Sequence, residues 1–115
     1  MTTQTSRRYT LRLTAELEEL IETRRAELWT DLRIRIQHAD GLTPAHAIRD
    51  LVASGVMKVM SGGATLAPVT GATTRTLKLH IPRSQFEQAL TEIAQAYELS
   101  IHATLRALIV AGASS

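Results

Sequence analysis

Seven residues suited to hydrogen bonding with base edges fall at alternate positions in two short stretches of the chain. In the first, Arg8, Thr10 and Arg12 alternate with Tyr9, Leu11 and Leu13; in the second, Thr74, Thr76, Lys78 and His80 alternate with Leu77, Leu79 and Ile81. Side chains of a strand point to opposite faces in turn, so each stretch predicts a strand with one apolar and one polar face. Arg and Lys can take the O6/N7 edge of guanine, and Thr can bond a base or touch a thymine methyl. Any two-stranded ribbon also carries Arg, Lys and Thr on its solvated face, so the strands alone leave both readings open.

The elements around these stretches repeat. Thr10-Leu11-Arg12-Leu13 returns as Thr76-Leu77-Lys78-Leu79, an offset of 66. Leu42-Thr43-Pro44 through Gly55 aligns without gaps on Leu99-Ser100-Ile101 through Gly112, an offset of 57. Each copy of this second match begins with a hydroxyl residue suited to an N-cap, Thr43 or Ser100, and ends on a glycine that could close a helix. A first helix precedes each. One starts after Thr14, with Glu16, Glu18 and Glu19 in or near its first turn and Leu17, Leu20, Ile21 and Leu28 as its apolar stripe. The other starts at Ser84-Gln85-Phe86-Glu87, which has capping-box spacing, and carries Phe86, Leu90, Ile93 and Tyr97.

Each half therefore reads strand, helix, helix. The first copy is about thirteen residues longer between its caps, and thirteen residues at about 100° each do not return to the same helix face. A break is expected between Arg24 and Ala39, with a continued helix or a short strand at Leu32-Arg33-Ile34-Arg35-Ile36 as alternatives. The glycine-rich, uncharged run from Ser61 to Thr73 reads as a linker. The expected organisation is a first repeat over 7–60 with an insertion at about 24–39, a linker over 61–73 and a second repeat over 74–113.

One strand-helix-helix unit leaves an apolar face and a strand edge exposed. Two units resolve both by pairing their strands antiparallel over four helices. The expected fold is mainly α with a two-stranded antiparallel ribbon, a β-α-α-β-α-α intramolecular pseudo-dimer in one compact domain.

In this order of elements the chain resembles the ribbon-helix-helix superfamily of DNA-binding proteins, the MetJ/Arc class. The resemblance rests on the strand ending in Leu13-Thr14-Ala15-Glu16-Leu17, its partner ending in Leu79-His80-Ile81-Pro82, and the turns Gly41-Leu42-Thr43 and Glu98-Leu99-Ser100. The long first half and Glu98, where the family usually has glycine, depart from the pattern. A covalent tandem is similar to TraY-type relaxosome proteins of conjugative plasmids and to accessory proteins of T-DNA border processing.

The resemblance implies sequence-specific binding of double-stranded DNA through the ribbon in the major groove. It also implies a cytoplasmic, bacterial setting in plasmid or T-DNA transfer or in transcriptional regulation. Further partners would be a relaxase or another transfer protein, and further copies of the chain on DNA. The DNA-reading candidates are Arg8, Thr10, Arg12, Thr74, Thr76, Lys78 and His80, with Thr43 and Ser100 presenting helix N-termini to phosphate. The two strands differ, so an asymmetric subsite is expected. Few cations lie on the footprint, so a modest salt slope and modest affinity are expected. Two alternatives stay open: an antitoxin-like autorepressor with a protein partner, and an adaptor that binds no DNA and recognises its partner through Arg24 to Ile36.

Composition agrees with a small domain. The chain has 115 residues, 44% apolar, with thirteen Lys+Arg against eleven Asp+Glu and no cysteine. That excludes a large multidomain enzyme, a disulfide framework, a thiolate metal site and a cysteine nucleophile. No run of about eighteen apolar residues occurs, so a soluble intracellular protein without membrane attachment is expected. His38, His46, His80 and His102 show no metal-ligand spacing, and His46/Asp50 and His102/Arg106 read as helix-surface neighbours. Neither a phosphate loop nor a nucleophile elbow is present, so neither enzyme activity nor a cofactor is expected. Arg24, Arg25, Arg33 and Arg35 form the densest basic cluster, read chiefly as a solvated face balanced by Glu22, Glu27 and Asp31. Trp29 and Ile34 are expected to form a satellite of the core.

Overall fold

The alternation around Arg8–Leu13 becomes strand β1 (Ser6–Thr14), and that around Thr76–Ile81 becomes β2 (Thr73–Pro82). They pair antiparallel as a two-stranded sheet. Between them run α1 (Ala15–Trp29), α2 (Leu32–Gln37) and α3 (Pro44–Met60); α4 (Gln85–Ala96) and α5 (Ile101–Ala113) follow. The computed structural model describes residues 6–82 and 85–114. Ser84, expected to cap α4, and the side chain of Phe86 lie outside what is described.

The element order is thus β-α-α-α-β-α-α, one helix more than the expected β-α-α-β-α-α. The additional helix is α2, which corrects the alternative of a strand at Leu32–Ile36. Five residues of alternating type fit either period, and capping decides between them. The Thr30 hydroxyl donates to the Glu27 carbonyl at 2.6 Å at the end of α1, and the Asp31 carboxylate accepts from the Arg33 amide at 2.9 Å to start α2.

The apolar face of the ribbon forms one wall of the core. Tyr9, Leu11, Leu13, Leu79 and Ile81 are buried, and they join Leu17 and Ile21 of α1, Ile48, Leu51 and Val52 of α3, Leu90 and Ile93 of α4, and Leu105, Leu108 and Ile109 of α5. Leu20, Leu28 and Tyr97 are half-buried along their expected stripes. Thr14, which alternation also predicts on the polar face with Arg8, Thr10 and Arg12, does not join it. It is buried, and its hydroxyl accepts from the Leu17 amide at 3.2 Å, capping α1 beside a register shift between Leu13 and Thr14. Residues 61–72 form neither helix nor strand, although Leu66 and Val69 pack on the core. No described helix is long and apolar enough to cross a membrane.

The repeat-terminal glycines do not close helices, contrary to expectation. Gly55 and Gly112 lie inside α3 and α5, where the two helices cross. A Cβ on Gly55 would stand 2.3 Å from the Leu108 carbonyl oxygen, and one on Gly112 would stand 2.0 Å from that of Leu51. Leu108 is the repeat equivalent of Leu51, so each helix presents its glycine to the same point on the other.

The turns before α3 and α5 are also equivalent, and here the copies differ. Gly41 has φ of 101°, and Glu98 occupies the matching position with φ of 55°. The Leu99 amide donates to the Ala94 carbonyl at 2.9 Å, which closes α4 through a left-handed residue. An L side chain in that region costs about 1 kcal/mol or more, against which glycine adds unfolded-state entropy. Glu98→Gly should therefore raise the melting temperature, by about 2–4 °C for a net gain of roughly 0.5–1 kcal/mol. Thermal denaturation checks this; an unchanged or lower value would mean that Glu98 stabilises the turn by some other contact.

Candidate nucleic-acid interface

The antiparallel register sets the polar residues of the two strands opposite one another. Arg8 faces His80, Thr10 faces Lys78, and Arg12 faces Thr76. All six are exposed on the side of the ribbon away from the core. Directly opposite residues stand about 4.5–5.5 Å apart at Cβ, so these three pairs form one continuous strip. Arg8, Arg12 and Lys78 make no ion pair with a described residue, which leaves their charge available to a ligand.

The strip has internal symmetry at its centre. Leu11 pairs with Leu77, its own equivalent at the 66-residue offset, so Arg12 and Lys78 occupy matching positions on either side. Each stands opposite the threonine of the other repeat. The symmetry fails towards the ends. Thr74, expected on the reading face, is exposed but engaged: its hydroxyl contacts Glu18 Oε2 at 2.6 Å and the Leu13 carbonyl at 3.3 Å. The opposite end keeps Arg8 and His80, so the strip extends further in one direction.

Two helices begin beside the ribbon. Thr43 and Ser100 both occupy N-cap positions. The Ser100 hydroxyl accepts from the Ala103 amide at 3.1 Å, whereas Thr43 makes no cap bond; its hydroxyl lies 2.9 Å from His46 Nδ1. Proline at the first position of α3 removes one backbone donor there. The two helix starts are therefore chemically unequal.

At the α3 start, the His46 ring meets the His38 ring edge-on, with centroids 4.4 Å apart. Burial, and then the positive fields of Arg49 and His38, lower the pKa of His46 from its ordinary 6.5. Folding thus favours neutral His46. The associated stability is fully present above the ordinary value and is lost as pH falls through the lowered one. Urea midpoints should fall between pH 7.5 and pH 5, and His46→Gln should make the fall shallower; an unchanged slope would show that His46 does not titrate in this window.

Between β1 and α5 lies an open cleft of about 360 Å³, lined by Thr10, Arg12, Ser100, His102, Ala103 and Arg106. His102 packs edge-on against Tyr9, with ring centroids 6.1 Å apart. Helical spacing read His102 and Arg106 only as surface neighbours, and the sequence carries no signal that β1 would face them. Arg75, which alternation puts on the same side of β2 as Leu77, is exposed opposite Leu13 and lines a cleft with Glu18, Glu19 and Glu22.

The basic cluster of the insertion is dispersed into local contacts. Arg24 pairs with Asp50 at 3.6 Å and donates to the Gly112 carbonyl at 3.1 Å. Arg25 pairs with Glu22, whose carboxyl it holds below the ordinary range, and donates to the Leu42 carbonyl at 3.3 Å. Arg33 reaches Asp31 at 3.3 Å, holding that carboxyl low as well. Trp29 and Ile34 are half-buried, whereas Leu32 and Ile36 on α2 are 62% and 71% exposed. Among the described residues no three His, Asp or Glu side chains are grouped to hold a metal ion.

No family model, curated protein or solved structure matches the chain.

Proposed function

We propose that the chain binds double-stranded DNA by laying the β1–β2 ribbon into the major groove, as an intramolecular ribbon-helix-helix pair. The observation that carries this reading is the strip of three cross-strand pairs, Arg8/His80, Thr10/Lys78 and Arg12/Thr76, exposed on one face while the other face is core. The major groove, about 12 Å wide, admits a two-stranded ribbon, and guanidinium, ammonium and hydroxyl groups suit its acceptor-rich edges. The α3 and α5 starts would flank the groove and meet the phosphate backbone, at Thr43 and Ser100 respectively. The inequality of the strip's ends supports an asymmetric target rather than a palindrome.

The broader setting, accessory to plasmid or T-DNA transfer or regulating transcription, follows from the resemblance alone. A fluorescence-anisotropy titration against random duplex, and against DNA flanking the chain's own gene or the nearest transfer origin, tests the reading at two salt concentrations. Binding that prefers the flanking DNA and weakens with salt supports it; no binding at low salt overturns it.

A second reading has one observation in its favour. The exposed Leu32 and Ile36, which flank Arg33 and Arg35 on a helix that the repeat does not require, suit a protein partner of the antitoxin-like or adaptor alternatives. Substituting both by Ser should leave duplex binding unchanged and abolish such a partnership; loss of duplex binding would place α2 at the DNA instead.

A further inference from the structure

Arg49 and Arg106 are equivalent in the repeat, and their surroundings differ. Arg49 donates from Nη1 to the His80 carbonyl at 3.3 Å, a tie to the ribbon across the α3 flank. Arg106 makes no hydrogen bond or ion pair with a described residue, and its Nε is buried without a partner. A buried donor on a permanently charged group normally has an acceptor, so the charge of Arg106 is uncompensated by any described residue.

The side chain lines the cleft between β1 and α5. Arg12 enters the same cleft from the ribbon, Thr10 adds a hydroxyl, and His102, held against Tyr9, adds an imidazole. No carboxylate is among the lining residues. Two guanidinium groups with no counter-charge among the described residues, with hydroxyl and imidazole donors around them, suit a tetrahedral oxyanion, because guanidinium offers paired donors in a plane. On the α3 flank the equivalents of His102 and Arg106 are Ala45 and the tied Arg49, so the same set is not repeated there.

We infer that the cleft between β1 and α5 is a phosphate site formed by Arg106 and Arg12 with Thr10 and His102, present on one flank of the ribbon only. Resting on the DNA reading above, it deepens that reading: the site takes one backbone phosphodiester, and its one-sidedness orients the chain on the duplex. The chemistry itself is that of a phosphoryl oxyanion, whether in a nucleic-acid backbone or free in solution.

The test follows the arginine Nε–H signals of the folded full chain by NMR as inorganic phosphate is added, beside duplex titrations of the variants. Saturable movement of the Arg106 signal, absent at Arg49 and lost in Arg12→Gln, is expected; no movement at Arg106, or equal movement at Arg49, overturns the site. On duplex, Arg106→Gln should weaken binding about 10-fold and reduce the salt slope by about one, while Arg49→Gln changes affinity less than about 3-fold. Arg106→Lys, which keeps the charge but loses the planar donors, should fall between wild type and Arg106→Gln and controls for loss of fold. If Arg106→Gln binds duplex as well as wild type does, the backbone site is refuted and the DNA reading survives. If the wild type binds no duplex while phosphate still saturates Arg106, the DNA reading fails and the site is one for a free phosphoryl group.

Discussion

Gly112→Ala should lower the stability of the chain by about 3 kcal/mol or more, a large fraction of the roughly 5–15 kcal/mol typical of a domain. A single methyl has this effect because of where it would point. It would stand 2.0 Å from the Leu51 carbonyl oxygen, 2.8 Å from that carbonyl carbon and 3.1 Å from the Gly55 amide nitrogen. All three are backbone atoms of α3, so no side-chain rotation relieves the overlap, and the helices must separate. Separation would loosen Ile48, Leu51, Val52, Leu105, Leu108 and Ile109, which are fully buried across that crossing. Helix propensity acts the other way, favouring alanine by about 0.8–1.0 kcal/mol, which is too small to offset the clash. Gly55→Ala should behave alike, since its methyl would meet the Leu108 carbonyl at 2.3 Å. Gly63→Ala serves as a control, with its nearest contact at an ordinary 3.5 Å. Urea midpoints of the three variants measure the difference; a Gly112→Ala chain as stable as wild type would mean that the helices do not cross this closely.

The double variant Arg12→Ala with Lys78→Ala should bind duplex at least about 100-fold more weakly than wild type, with its melting temperature nearly unchanged. Each residue has the same place in the strip, on either side of the Leu11–Leu77 pair, opposite the other repeat's threonine. A well-placed Lys contact with a base edge is worth about 1–3 kcal/mol of discrimination, and Arg12, which lines the cleft beside α5, contributes a phosphate contact of similar worth, so losing both gives about two orders of magnitude or more. Stability is spared because both side chains are exposed and neither forms an ion pair with a described residue. Discrimination between flanking and random DNA should shrink in the variant along with affinity. A uniform loss across all sequences, with the preference intact, would instead assign Lys78, like Arg12, to a phosphate contact.

The strip was legible in the sequence because period-two alternation needs no tertiary knowledge: a residue between two buried leucines on a strand faces outward. The repeat added the pairing, since copies at a fixed offset can meet antiparallel at an equivalent residue, as Leu11 and Leu77 do. Thr74 is exposed as alternation predicts, but its contacts are not legible from it. The register shift beside Thr14 brings its hydroxyl to Glu18, and the local pattern carries no sign of such a shift.

Gly55 and Gly112 mislead for a different reason. Glycine at the end of a helical pattern signals a C-cap or a close backbone approach equally well, and only the crossing partner distinguishes them. At α2 the deciding signal was present: Asp31 two residues before Arg33 suits a cap, and it outweighs the apparent alternation of Leu32–Ile36. Arg106 was placed correctly on a helix beside His102. The unpartnered Nε and the approach of β1 depend on packing between residues about ninety positions apart, which periodicity does not report.

The most direct test of the central claim is the set of backbone amide shifts of the full chain as a duplex carrying the flanking DNA is added. Binding through the ribbon predicts the largest changes at Arg8–Leu13 and Thr76–His80, with secondary changes in the first turns of α3 and α5. Changes confined to Leu32–Gln37, with the ribbon amides unmoved at saturation, would contradict it and give recognition to α2.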